Sequence, residues 1–164
     1  MQTTVTLNTE ELKGLTKALK AKSKLAVKVG VMAESNNRTP VYPKDRKLTN
    51  SQIAYKHEFG IGVPMRSILR KPMMTLMGSR LNNVSETTWK DSFVTSGIYG
   101  MLEVVGQTAV KLVDDNFKSQ GIPTGWVELS EATIANRKRY NRPSRLILID
   151  SKQLESSFGY EVVK

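Results

Sequence analysis

The chain of 164 residues has no cysteine and a single histidine. Without thiols there is neither a disulfide framework nor a thiolate metal site, and folding needs no oxidising compartment. A zinc site needs several converging ligands. The metalloprotease helix needs a second His four residues after the first, and position 61 is Ile. Residue scarcity also weakens other chemistries. Serines do not fall in a nucleophile-elbow pattern, and no glycine-rich phosphate loop is present. Aromatic residues make up 7% of the chain and form no ladder on which single-stranded bases would stack. No apolar run approaches the ~20 residues that cross a bilayer. The opening MQTTVTLNTEELKGL lacks a basic region followed by an apolar stretch, so neither membrane insertion nor export by a signal peptide is expected. Acidic side chains are the minority: 15 against 25 Lys and Arg, a formal net charge of +10. That balance favours acidic partners, either nucleic acid or an acidic protein surface.

What is present is an ordinary globular composition, 39% hydrophobic and 24% charged, at a length that supports one domain over residues 1–164. Val5 and Leu7 alternate with polar neighbours as in a short strand. Asn8 with Glu11 then opens a helix carrying Leu12, Leu15 and Leu19 on one face and Lys13, Lys17, Lys20 and Lys24 on the other. Leu25, Val27, Val29 and Val31 alternate with Ala26, Lys28, Gly30 and Met32, the pattern of a strand with one buried face. Residues 33–48 contain two prolines and no periodicity, which predicts a projecting loop. Thr49 and Gln52 form a capping box for a short helix that Gly60 would close.

Pro72 suits a first helical turn, and Met73, Leu76, Met77, Leu81 and Val84 continue at helical spacing toward a core. The methionines at 73, 74, 77 and 101 read as core filler. A second long helix includes Ile98, Met101, Leu102, Val105, Ala109, Leu112, Val113 and Phe117 and ends near Gly121 and Pro123. Beyond it come a loop around Trp126, a short helix capped by Ser130, and the basic segment Arg137, Lys138, Arg139 to Arg145. Asp150 with Gln153 is expected to cap a last helical turn, and Tyr160, Val162 and Val163 to form a closing strand. The predicted fold is α+β: a small mixed or antiparallel sheet from strands near 3–7, 25–32 and 158–164, packed against two long helices. Loops at 33–48 and 120–147 are expected to project.

The stretch AYKHEFGIGVPMRSILR, Ala54 to Arg70, concentrates the unusual chemistry. Adjacent residues on a helix point about 100° apart, so His57 and Glu58 do not face each other as an acid and base would. A helix end followed by an extended arm is the simpler reading. Pro64 stiffens the arm, Ile68 and Leu69 can anchor it, and Arg66 and Arg70 can pair bidentately with carboxylates. In one reading the arm touches another molecule; in the other it packs on its own subunit. The basic side chains at Lys13, Lys17, Lys20, Lys24, Arg137, Lys138 and Arg139 could meet phosphates or acidic neighbours, but no helix-turn-helix or zinc-finger pattern accompanies them.

Ala54, His57, Glu58, Phe59 and Gly60, followed by Pro64, Arg66, Leu69 and Arg70, resemble the A-x-x-H-E-F-G … P-x-R-x-x-L-R signature of bacteriophage tail-completion and neck proteins. L-S-x-A-T-I at Leu129 to Ile134, L-I-D-S-K-Q-L-x-x-S at Leu148 to Ser157 (with Ile149, Asp150 and Leu154) and Y-E-V at Tyr160 to Val162 follow in order. Ser67 and Ile68 stand where the family commonly has Pro and Phe. Ser151 and Lys152 replace its Thr and Gly, so the turn there is expected to be less glycine-like. The resemblance implies a non-enzymatic virion protein without cofactor or metal, made in the host bacterial cytoplasm. It would form part of a ring that joins the tail to the head-side connector. Its implied partners are a connector or stopper ring, a tail terminator and the tail tube protein, with passing contact to genomic DNA and none to membrane. A small basic DNA-binding module is the alternative.

Overall fold

The computed structural model describes Lys13, Lys17 and residues 24–41, 47–142 and 145–164. The expected strand at 3–7, Lys20 and the leucines of the first helix, and residues 42–46 lie outside the described residues. Lys13 and Lys17 are helical and exposed, and Lys24 is exposed in a turn.

Among the described residues the sheet has two antiparallel strands, β1 (Ala26–Val31) and β2 (Phe158–Val163). Val27 stands opposite Val162, Val29 opposite Tyr160 and Val31 opposite Phe158. These β-branched and aromatic side chains suit a pleated, half-buried surface. Four helices lie between the strands: α1 (Asn50–Phe59), α2 (Arg70–Asn82), α3 (Glu86–Lys118) and α4 (Glu131–Arg139). The α+β class follows. Each strand packs on α3, and α2 packs along it as the second long helix. Close approach of sheet and helix is possible because Gly106 has no side chain; a Cβ there would come within 2.1 Å of the Tyr160 ring.

Local signals explain most boundaries. The side chain of Thr49 accepts from the Gln52 amide, and the Gln52 side chain accepts from Thr49 in return, a complete capping box; Gly60 closes α1 with φ 70°. Ser85 and Ser130 cap α3 and α4. Within α3, Gly97 adopts φ 60° and ψ −142°, outside the helical region and open essentially to glycine alone, so the helix is broken into two segments there.

The core is formed by Ile68, Val113, Phe117, Trp126, Ile147, Ile149 and Leu154. Phe117 sits at its centre, edge-on to Trp126 with centroids 5.5 Å apart. The second segment of α3 supplies its wall, with Val104, Ala109, Leu112, Val113 and Phe117 buried. The stretch from Met73 to Tyr99 is different: it contains no buried residue. The expected core-facing helix through Met73, Leu76, Met77, Leu81 and Val84 is therefore only half-covered. Met74 is 80% exposed, not core filler.

One loop expectation is corrected. Residues 120–147 do not simply project, because Trp126, Arg137 and Ile147 are buried within that range and α4 shares a cleft with Ile53 and His57 of α1. The described part of 33–48 is also tied down: Asn50 donates from its backbone to Asn36, and Thr39 exchanges hydrogen bonds with the Gln153 side chain across 114 positions of sequence. Polar groups fix these segments where apolar periodicity gave no signal.

Candidate joining site around Ala54 to Arg70

Helix α2 has no side-chain cap from its own first residues and no acidic residue in its first turn. Glu58, from the end of α1, supplies both. Its carboxylate accepts from the amides of Ile68 at 2.7 Å, Leu69 at 2.9 Å and Arg70 at 3.1 Å, and from the Ser67 hydroxyl. Four donors at a helix N-terminus are a strong site for an anion, since the amides there point outward and the helix dipole favours negative charge. Glu58 is 9% exposed, and Arg70 lies 3.8 Å away as its ion-pair partner. The Arg70 guanidinium also rests over the Phe59 ring, 5.4 Å from its centroid.

Ser67 extends the brace. Its hydroxyl accepts from the Lys71 amide, and its carbonyl accepts from the Trp126 indole at 2.9 Å and from Asn116 at 3.3 Å. Arg66 is 5% exposed. Its Nε donates to the Val127 carbonyl at 2.8 Å and its Nη2 to that of Glu128 at 3.0 Å, while its own amide donates to His57. Burial, together with the neighbouring charge of Arg137, lowers the Arg66 pKa from its ordinary value.

The expectation of carboxylate pairing is thus corrected for Arg66, while Arg70, half-exposed, does pair with a carboxylate, that of Glu58 in its own chain. Arg66 binds carbonyls of its own chain, and Arg70 faces its own Glu58. Ile68 anchors in its own core, and Leu69 packs against it. The stretch from Arg66 to Ile68 is an internal brace, because the Arg66 guanidinium, the Ser67 hydroxyl and carbonyl and the Ile68 amide all bond within the chain.

His57 belongs to the same brace. Its imidazole bonds to the Pro64 backbone, and Nδ1 is buried without a hydrogen-bond partner among the described residues. Burial first, and then the positive charge of Arg66, lower its pKa to about 4. The ring is neutral at physiological pH and does not titrate where histidine catalysts work. His57, Arg38, Asn136, Arg137 and Asp150 line a polar cleft of about 590 Å³. Among the described residues no three His, Cys, Asp or Glu side chains converge as a metal site would require.

The outer edge of this segment faces solvent. Tyr55, Phe59, Ile61 and Met65 are all exposed, and the Tyr55 and Phe59 rings touch at 4.9 Å. Pro64 is exposed beside them. Two apolar grooves share Leu69 and Glu58: one of about 390 Å³ between β1, α2 and α3, lined by Val27, Val29, Met73 and Met77, and one of about 240 Å³ under Tyr55 and Phe59. Tyr55, Ile61 and Met65 were not singled out by sequence reasoning. They follow no shared periodicity in the sequence, and only the fold brings them together.

The C-terminal motif lands beside the brace. Ile149 and Leu154 are buried in the same core as Ile68. Asp150 does not cap a helical turn; it pairs with Arg142 at 3.3 Å and Arg137 at 3.9 Å. Arg137 is 7% exposed and donates to the Leu146 carbonyl, so it is withdrawn from any phosphate-binding surface, whereas Lys138 and Arg139 are exposed. The turn with Lys152 keeps a glycine-like geometry after all. Lys152 has φ 59°, and its carbonyl receives the Ser156 amide and hydroxyl.

Comparison with protein-family models, with curated proteins and with solved structures yields no match. Among the described residues no helix is long and apolar enough to cross a membrane.

Proposed function

We propose that this chain is a non-enzymatic virion protein of the phage neck, which completes the tail and joins it to the head connector as a ring subunit. The observation that carries the reading is the state of the signature segment. Residues far apart in the motif, Glu58 with Ser67 to Arg70 and His57 with Pro64 and Arg66, form one hydrogen-bonded block. That block sets an exposed apolar edge, Tyr55, Phe59, Ile61 and Met65, at a fixed position on the surface. A rigid frame carrying an apolar edge suits a protein whose work is contact. Heterologous contacts of this kind close into rings. Partners in this reading are a connector or stopper ring, a tail terminator and the tail tube.

The test is decoration of tail tubes that lack the protein, followed by electron microscopy. Binding at one tube end is expected, and Phe59→Ala with Met65→Ala should abolish it while leaving the melting temperature within a few degrees. Tubes that remain bare with the unaltered protein would contradict the reading.

The alternative, a small DNA-binding module, draws on the exposed Lys13, Lys17, Lys24, Lys138 and Arg139 and the net charge of +10. Phosphate contact by a channel-lining protein should be weak and lost at moderate salt. Tight, sequence-specific duplex binding at physiological salt would favour the alternative.

A further inference from the structure

Strand β1 pairs with β2 on one side, and among the described residues nothing pairs with its other edge. Met32 donates to the Ser157 carbonyl at 3.0 Å, which continues the register that sets Gly30 opposite Gly159 and Lys28 opposite Glu161. Antiparallel ladders alternate hydrogen-bonded and non-bonded pairs. Lys28 and Gly30 therefore bond to β2, while Val27, Val29 and Val31 direct their amides and carbonyls away from it. Those outward groups find no partner among the described residues. They repeat about every 7 Å, the spacing of alternate residues in a strand.

The two apolar grooves lie along this same edge. Val27 and Val29 line the groove of about 390 Å³ and Val31 the one of about 240 Å³, with Leu69 common to both. Neither is lined by Tyr160 or Val162, so the space lies on the side of β1 away from the length of β2. The charged groups at the grooves, Glu58 and Arg70, are paired with each other, and the other walls are mostly apolar.

We propose that the free edge of β1 takes up an extended segment of a partner protein as a third strand, with apolar side chains at alternate positions seated in the two grooves. Residues opposite Val27, Val29 and Val31 share the face of those valines, so their side chains enter the grooves that the valines line. The residues between them face solvent beside the exposed Lys28. Main-chain bonds supply the affinity and the grooves supply the pattern. The β2 edge of a second copy is a poor occupant. Its Tyr160 lies against Gly106 of α3, so that strand brings its own helix layer and cannot enter a groove already walled by another α3. A free extended segment carries no such layer. The site needs only such a segment, whether or not the chain is a ring subunit.

The test is hydrogen exchange of the full chain, read by NMR, with a synthetic peptide of alternating valine and threonine between terminal lysines, at millimolar concentration. The amides of Val27, Val29 and Val31 should exchange at least about tenfold more slowly with the peptide, and those of Tyr160 and Val162 should not change. A fully N-methylated copy of the peptide keeps the side chains and loses every donor; it should give no protection. A copy with the valines clustered at one end should give none either, because the alternation is lost. Met77→Glu puts a charge into the larger groove and should abolish the effect. If that variant fails to fold, the N-methylated peptide still decides, since it needs no change in the protein. Overturning results are no slowing with the alternating peptide, equal slowing with the N-methylated one, or slowing at the β2 edge instead. Protection of Val27, Val29 and Val31 in the protein alone would also overturn it. Such protection would show the edge taken by a second copy if it grows with protein concentration, and by the chain's own first residues if it does not.

Discussion

The brace around Glu58 and the outer segment from Met73 to Tyr99 adjoin each other through α2, yet they are built on opposite principles. In the first, Glu58, Arg66, Ser67 and Ile68 are buried and their polar groups are paired within the chain. In the second, no residue is buried, and large apolar side chains such as Met74 and Val94 stand in solvent. Buried polar networks fix one geometry, because any member left without a partner costs the full desolvation of its group. Half-covered helices with apolar faces have stability to gain from a partner. The comparison therefore separates a part that holds position from a part suited to contact, although the recognisable motif lies almost wholly in the first.

The largest expected effect comes from emptying the brace. Glu58→Ala leaves the amides of Ile68, Leu69 and Arg70 and the Ser67 hydroxyl without their acceptor and should cost about 3 kcal/mol in chemical denaturation. A loss below about 1 kcal/mol would mean that water or Arg70 rearranges to serve those donors, and the contrast between the two regions would weaken. Arg66→Ala removes two charge-assisted bonds to the carbonyls of Val127 and Glu128. It should cost about 2 kcal/mol, whereas Arg70→Ala, at a half-exposed pair, should cost less than about 1 kcal/mol.

His57 gives the brace a pH signature. Its folded pKa of about 4 lies below the ordinary 6.5. Between those values the unfolded chain binds a proton that the folded chain does not, so stability rises with pH through this window. On acidification from pH 6.5 to 4 the fold should lose on the order of 2 kcal/mol, a figure that allows for the ring's partial exposure. His57→Gln should flatten this part of the profile. An unchanged slope in the variant would show that the histidine is not the group responsible.

Smaller effects sharpen the comparison from outside the brace. Lys152→Gly should stabilise by about 1 kcal/mol, since Lys152 occupies a left-handed conformation that costs a side-chain-bearing residue about that much. Val94→Asp, on the outer segment, should change the stability of the isolated chain by less than about 0.5 kcal/mol.

Much of the architecture was legible in the sequence. Strand β1 showed in the alternation of Val27, Val29 and Val31, α1 in its capping box and Gly60, and the packed part of α3 in the spacing from Ile98 to Phe117. These signals are local, so a single sequence carries them. The first segment of α3 was missed because Glu86 to Ser96 has little apolar periodicity and its break depends on the backbone of Gly97. The site was legible only as a motif. His57, Glu58, Arg66 and Arg70 were singled out, but whether the arm touches another molecule or packs on its own subunit was not legible. Arg66 is satisfied by carbonyls at Val127 and Glu128, about sixty positions away, and carbonyl acceptors leave no mark on the side-chain sequence. Arg137 misled for the same reason: a run of basic residues suggested contact with phosphates or acidic neighbours, while Asp150 and the Leu146 carbonyl hold one member of it inside.

Native-state hydrogen exchange of the backbone amides tests the division of labour most directly. Amides of Ile68, Leu69 and Arg70 and of Val104 to Phe117 should exchange only through global unfolding, while those of Glu86 to Ser96 should exchange faster through local opening. Equal protection in the two regions would contradict the account, for the outer segment would then be as firmly integrated as the brace.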